Sequence, residues 1–399
     1  MNRHNPNDES MFIYVDESNQ TGELNISKNS KNELNYDIHR YFGLGFGVFT
    51  KNEKESLEKE LNYKEYSFIK GNELLKKSNN NILQKVLTDS LRYKDNFHYI
   101  ISDKKFNLAR DLFFYFFEDK IKDKNICQEV ISLLSTQLVR DIKTKWEIKV
   151  IDFFNNNLNL PEFKKFWEDY EFSYEQKKIP NRNYKIEESI SRFRKMLSEK
   201  KDSNNLENEK SNVHINAIIS ICHSVMEKYK RTKKIIILHD QINFLSKKET
   251  LILQNIKNMF ECLEWDIPEI KIEFLDSKTN SIIRFIDRLT SVSTSIIKRN
   301  IYFFDNNIPK FSTTQFIFET IKKDNEWNYN LMHSLWNNIL TIDKLQLYVS
   351  LDNWPIILNI FEMNIDDIPT DFMKNYWKFY IKFYENNFNN LPDMPINLK

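Results

Sequence analysis

The sequence predicts an α/β protein whose sheet-bearing core comes in two pieces, about 11–103 and 212–300, separated by a helical insertion (104–211) and followed by a helical domain (301–399). Three observations lead to this. Short runs of β-branched and aromatic residues recur near the start and again near 235 and 270. Elsewhere apolar residues fall three and four apart, as on a helix face. Finally, "EKKDSNNLENEK" (199–210) is charged, has Leu206 as its one bulky apolar residue, and reads as a linker.

Residues 1–10 are polar and expected to be disordered. "MFIYV", Met11 to Val15, is too short for a typical helix and reads as a buried strand, with Asp16, Glu17 and Ser18 following it. The polar stretch Gly22 to Asn35 suits a long hairpin connection to a second strand at about 41–49, "YFGLGFGVF". There Gly43, Gly45 and Gly47 leave one face bare, so that a helix or another backbone can pack closely. A charged helix at 52–62, the stretch "IKGNELLKKS", a helix at about 82–93 and a third strand, "FHYIIS" (97–102), complete the first piece. In the insertion, Leu108, Leu112, Phe113, Phe116 and Phe117 keep helical spacing. The second piece holds a helix through "HINAIISICHSVMEKYK", a buried strand in "KKIIILHDQ", a partly exposed strand in "EIKIEFLDSKTN" and a helix at about 280–299. The last hundred residues read as mostly helical, punctuated by Pro309, Pro355 and Pro369.

Composition narrows the function classes. At 399 residues and 41% apolar content the chain has material for two or three domains, and a net charge of +1 excludes nucleic-acid binding by bulk positive charge. Three scattered cysteines form no CxxC pair, against a zinc ribbon, a thioredoxin-like site or a disulfide framework. All five glycines lie within the first 71 residues, which excludes a P-loop or dinucleotide fingerprint beyond them. No serine lies in a nucleophile elbow. The N-terminus lacks a signal-peptide core and "LFFYFF" (112–117) is too short to span a bilayer, so a soluble, cytoplasmic protein without a membrane partner is expected.

Carboxylates recur where strands end. Asp16-Glu17 follows the first strand, His239-Asp240 ends the run Ile235 to Leu238, and Asp276-Ser277-Lys278 follows Phe274-Leu275. On the next helix Ile282, Phe285, Ile286, Leu289, Val292 and Ile296 share a face, with Asp287 at its border beside Thr290 and Thr294. Several carboxylates at strand ends and one on a packed helix suit Mg²⁺ or Mn²⁺, which take oxygen ligands. Two such ions roughly 4 Å apart can activate water and stabilise a leaving oxygen in phosphodiester cleavage.

These residues resemble a family of uncharacterised bacterial proteins with a ribonuclease H-like fold, marked by a first strand ending in Asp-Glu-Ser-Gly. Here that motif is "IYVDESN", with Asn19 in the place of Gly. "YFGLGFGVF" resembles the family's glycine-containing second strand, and "GNELLKKS" its Glu-x-Lys element with one extra residue, placing Glu73 as the acid and Lys76 or Lys77 as the base. "IIILHDQ" and "FLDSKTNSIIRFIDRLT" match the later strand and the final strand–helix piece, with Arg284 and Ile286 replacing Gln and Ala. The resemblance covers the two core pieces and implies a mixed sheet and a site of Asp16, Glu73, Asp240 and Asp287 as metal ligands, with Glu17 as a fifth acid. Lys76, Lys278 and Arg284 are the implied substrate contacts, and Asp276 caps the following helix or orients Lys278. The implied activity is a metal-dependent nuclease acting on DNA or RNA, in the company of bacterial antiviral defence. A non-catalytic scaffold or sensor that binds a protein or nucleic-acid partner is the alternative, favoured by Asn19 and Arg284.

Three other features are read structurally. His239 is expected to be a hydrogen-bonded core residue, with proton transfer or metal binding as the alternative. "KYKRTKK" (228–234) reads as cations suiting a helix C-terminus, with a phosphate-contacting patch as the alternative. "DFMKNYWKFYIKFYENNF" (371–388) reads as a packed helix or a face for a protein partner or self-association.

Overall fold

The computed structural model describes residues 10–18, 40–62, 69, 71–74, 76–117, 124–140, 146–170, 184–200, 213–229, 232–240, 249–276, 279–307 and 345–349. The Gly22 to Asn35 connection, Asn19, Lys278, Lys230, Arg231 and the 371–388 segment lie outside them. No helix among the described residues is long and apolar enough to cross a membrane.

One compact unit gathers the described parts of residues 1–107, 205–295 and 334–348 around a mixed sheet. Its strands are β1 (Ser10–Ser18), β2 (Tyr41–Thr50), β3 (Phe97–Asp103), β4 (Lys234–Asp240), β5 (Glu269–Leu275) and β6 (Leu345–Tyr348), in the order β5-β4-β1-β2-β3-β6. β1–β2 and β2–β3 pair antiparallel, whereas β1–β4, β4–β5 and β3–β6 pair parallel. The order 3-2-1-4-5, with 1/4 and 4/5 parallel, is consistent with a ribonuclease H-like topology. β6, in the part read as helical, adds a parallel strand beyond β3.

Helices α1 (Lys51–Asn62), α2 (Gly71–Leu74) and α3 (Asn80–Ser90) lie between β2 and β3 in the chain. Thr50 and Glu53 start α1 with a reciprocal cap: the Glu53 N–H donates to Thr50 Oγ1 and the Thr50 N–H to Glu53 Oε2. Between β3 and β4 the chain inserts α4 (Lys104–Phe117), α5 (Lys124–Arg140), α6 (Trp146–Phe154), α7 (Leu160–Glu168) and α8 (Tyr184–Glu199). From Leu108 onward these belong to the second compact unit. That unit is held by an aromatic cluster in which Phe153 stacks on Phe163 at 4.1 Å and Trp167 meets Phe193 edge-on at 5.7 Å.

α9 (Val213–Lys228), α10 (Glu249–Cys262) and α11 (Ser281–Asn307) complete the described helices. Met11, Ile13 and Val15 of β1 enter one core with Ile218, Cys222 and Val225 of α9 and Ile252 and Ile256 of α10. α11 packs on the opposite face of the sheet, and the glycines explain how. A Cβ on Gly43 would strike Thr294, one on Gly45 would strike Thr290, and one on Gly47 would come within 2.6 Å of Ile286 Cδ1. The three helix residues are four apart and the glycines two apart. Four helical residues rise about 6 Å and two strand residues about 6.6 Å, so the helix ridge follows the bare stripe. The Tyr99 hydroxyl on β3 donates to Thr294 Oγ1 at 2.7 Å, since Thr294 Oγ1 itself donates to the Thr290 carbonyl.

Candidate functional site

β1 does not stop at Val15. It stays paired with β2 through Ser18↔Gly43, so Asp16 and Glu17 lie inside the strand, contrary to the expectation from sequence. The parallel ladder to β4 ends earlier, at Val15↔His239. The next position in that register sets Asp16 beside Asp240, where neighbouring strands run about 4.8 Å apart. One ladder has closed while the other continues, and the acids occupy the notch between them.

Alternation sorts these side chains onto two faces. Asp16 is partnered with Gly45 and so lies on the glycine face, under α11. Asp287 lies on α11 one turn before Thr290, the residue that touches Gly45. The close approach allowed by the glycines therefore brings a helix acid to a strand acid. Asp287 Oδ1 accepts a hydrogen bond from Ser291 Oγ at 3.1 Å.

Asp16 is buried, at 4% exposure. Its carboxyl is held well above the ordinary carboxylate range, first by burial and then by the charges of Asp287, Glu17 and Asp240. A 2.7 Å hydrogen bond from the Glu17 N–H to Asp16 Oδ1 opposes that rise. Glu17 projects to the other face, shared with Val15 and His239. Its Oε2 is buried without a hydrogen-bond partner, 4.0 Å from His239 Nε2. Burial, then the charges of Asp240 and Asp287, push Glu17 up to about 8. His239 is 1% exposed, and burial lowers it to about 4, so its neutral ring offers Glu17 no counter-charge at pH 7. His239 Nδ1 lies 2.8 Å from the Asp240 carbonyl oxygen.

The remaining sequence candidates lie on α2, just after it, and on α11. Glu73 is exposed on α2, where its carbonyl accepts from the Lys76 N–H and from Asn79 Nδ2. Lys76 is also exposed, and Arg284 is half-buried in the first turn of α11. Asp276 does not cap α11: Asn280 does, its Oδ1 accepting from the Ile282 and Ile283 N–H groups at 3.1 and 3.0 Å. The Asp276 carbonyl instead accepts from Thr279 and Asn280 in the preceding turn. Lys234 and Asp240 stand at opposite ends of β4, so "KYKRTKK" runs up to the far end of that strand. His223 of α9 stacks on Trp265 at 5.1 Å, a packing contact.

Sequence reasoning missed Arg288. It is 1% exposed on α11, and its Nε donates to the Ile69 carbonyl at 2.6 Å, tying the segment before α2 to the helix that carries Asp287. At 100° per residue Arg288 lies about 60° from Phe285 and about 40° from Val292, so its angular position was the available signal.

Chemically, the notch is a set of oxygen donors whose negative charges act on one another. Among the described residues, no three Asp, Glu, His or Cys side chains converge into a ready-made metal-binding group. No family model, curated protein or solved structure matches this chain.

Proposed function

We propose that this chain is a divalent-metal-dependent nuclease, a member of the Asp-Glu-Ser-Gly family it resembles, hydrolysing phosphodiester bonds of DNA or RNA. One observation carries the reading: Asp16 is buried at the end of a parallel ladder, with the charges of Asp287, Glu17 and Asp240 acting on it. The donor chemistry suits Mg²⁺ or Mn²⁺, because all the donors are hard oxygens and their mutual repulsion is relieved by a cation. When bound, such ions activate water and stabilise the leaving oxygen.

In this reading Asp16, Asp240 and Asp287 hold the metal, with Ser291 orienting Asp287 by its hydrogen bond. Glu73 contributes a further carboxylate, and Glu17 adds negative charge from the opposite face. Lys76, Lys278 and Arg284 contact the phosphates of the nucleic acid. A role in bacterial defence against foreign genetic elements goes with the family resemblance.

The second reading is a non-catalytic scaffold that keeps the fold and binds a partner. The absence of three converging ligand groups among the described residues favours it. The two are separated by incubating the protein, with and without Mn²⁺, against labelled single- and double-stranded DNA and RNA, alongside Asp240→Ala. Calorimetric titration with Mn²⁺ alone runs in parallel. Manganese-dependent cutting lost in the variant, with saturable Mn²⁺ binding, supports the nuclease. Absence of both Mn²⁺ binding and cutting leaves the scaffold.

A further inference from the structure

β5 lies at one end of the described sheet. β4 pairs with one of its edges, and among the described residues no strand pairs with the other. An open edge presents a row of backbone donors and acceptors, and proteins usually blunt it with a bulge, a short strand or an isolated cation. β5 has none of these in simple form. Its seven residues, "EIKIEFL", pair with β4 without interruption from Lys234↔Glu269 to Asp240↔Leu275. Its one cation, Lys271, sits between Glu269 and Glu273, all three exposed on one face. Ile270, Ile272 and Phe274 alternate onto the other face, half-buried against the α9–α10 core. Ile267, just before the strand, is 44% exposed.

We propose that this edge is a self-recognition surface, on which β5 of one copy of the chain pairs antiparallel with β5 of a second copy to continue the sheet across a two-fold axis. The charge pattern favours a second copy as the occupant, and charge together with strand length selects the register, because Ile272 is the middle of the seven residues. A two-fold axis perpendicular to the sheet places each residue opposite one of the same face. Centred on Ile272, it sets Lys271 of each copy opposite Glu273 of the other, and Ile270 opposite Phe274. Centred on Lys271 or on Glu273, it sets like charges against each other, which is destabilising. A lone lysine guards an edge against a neutral strand, but it does not guard against a strand that brings glutamate to meet it. This inference is independent of the nuclease reading.

One strand pair is smaller than a standard interface, so association is expected in the range of about 10–100 µM. The test is sedimentation velocity of the full chain in metal-free buffer from about 1 to about 200 µM. Wild type is expected to shift from monomer to dimer across this range. Lys271→Glu and Glu273→Lys, both at exposed positions, are each expected to remain monomeric with an unchanged circular dichroism spectrum. Mixing the two variants in equal amounts, or combining both substitutions in one chain, restores opposite charges across the axis and is expected to restore the dimer. A wild type that stays monomeric, single variants that dimerise like wild type, or a mixture that fails to associate each overturns the proposal.

Discussion

Replacing Gly45 by alanine tests the link between the glycine stripe and the acidic notch. The added methyl would collide with the Thr290 hydroxyl and stand 3.1 Å from Thr290 Cβ and 3.2 Å from Phe97 Cε2. None of these is the loose end of a long side chain, so α11 itself must lift from β2. Overpacking of this kind costs about 1–3 kcal/mol, and the loss of unfolded-chain entropy on replacing glycine offsets roughly 0.5 kcal/mol. The net expectation is about 1.5 kcal/mol, or a fall in Tm of about 3–6 °C for a unit of this size, read by calorimetry. Thr290→Ala removes the hydroxyl that the methyl meets. The double variant should therefore recover at least about 1 kcal/mol relative to additivity. Lifting α11 also carries Asp287 away from Asp16, so under the proposed nuclease reading Mn²⁺ binding should weaken about tenfold in Gly45→Ala and partly recover in the double variant. An unchanged Tm, or additive losses from the two substitutions, would refute the claim that this contact sets the helix–sheet distance.

Glu17 gives a pH signature in metal-free protein. Its folded pKa, about 8, lies above the usual 4.5, so its contribution to stability is fully present below pH 4.5 and is lost as pH rises through about 8. His239, lowered by burial to about 4, works in the opposite sense, favouring the fold above pH 6.5 and losing that contribution as pH falls through about 4. The wild-type minus Glu17→Gln difference in unfolding free energy, read in urea, isolates the first group; it should fall by a few kcal/mol between pH 4.5 and 8, and a flat difference would reject the assignment. Asp103→Ala should cost about 3 kcal/mol in the same assay, because it removes a fully buried carboxylate that binds Arg40 at 3.0 and 2.7 Å and accepts from the Lys105 N–H. Asn280→Ala should cost about 1 kcal/mol and Asp276→Ala much less, the reverse being expected if Asp276 were the cap of α11.

How much of this was legible in the sequence differs from element to element. β1, β2 and β4 were, because their apolar runs are dense and bounded by polar turns, and the alternation of Gly43, Gly45 and Gly47 announced a bare face before any helix was known to fill it. The extent of β1 was not. Polar Asp16, Glu17 and Ser18 remain in the strand because β2 pairs with them, and pairing is a property of the partner. Asn280 and Asp276 are both good caps by residue type, and only the start of α11 at Ser281 decides between them. β6 spans four residues, "LQLY", too few to show a period. Arg288 was passed over because arginine on a helix ordinarily reaches solvent, whereas here a backbone carbonyl draws it inward.

The insertion between β3 and β4 also sets an order of events at the ribosome. Asp16 and Asp240 occupy adjacent register positions, yet 240 − 16 = 224 residues of chain separate them. At about 5–20 residues per second, β1 waits roughly 10–45 s between its own synthesis and that of its parallel neighbour. β2 and β3 can zip onto it in that time, since those pairings are closer in the chain. The other edge of β1, with Met11, Ile13 and Val15 destined for the core, has no native mate until Lys234–Asp240 emerges. A nascent or truncated chain ending before β4 thus leaves this apolar stripe without its native cover, and the acidic notch is complete only when α11 has left the tunnel.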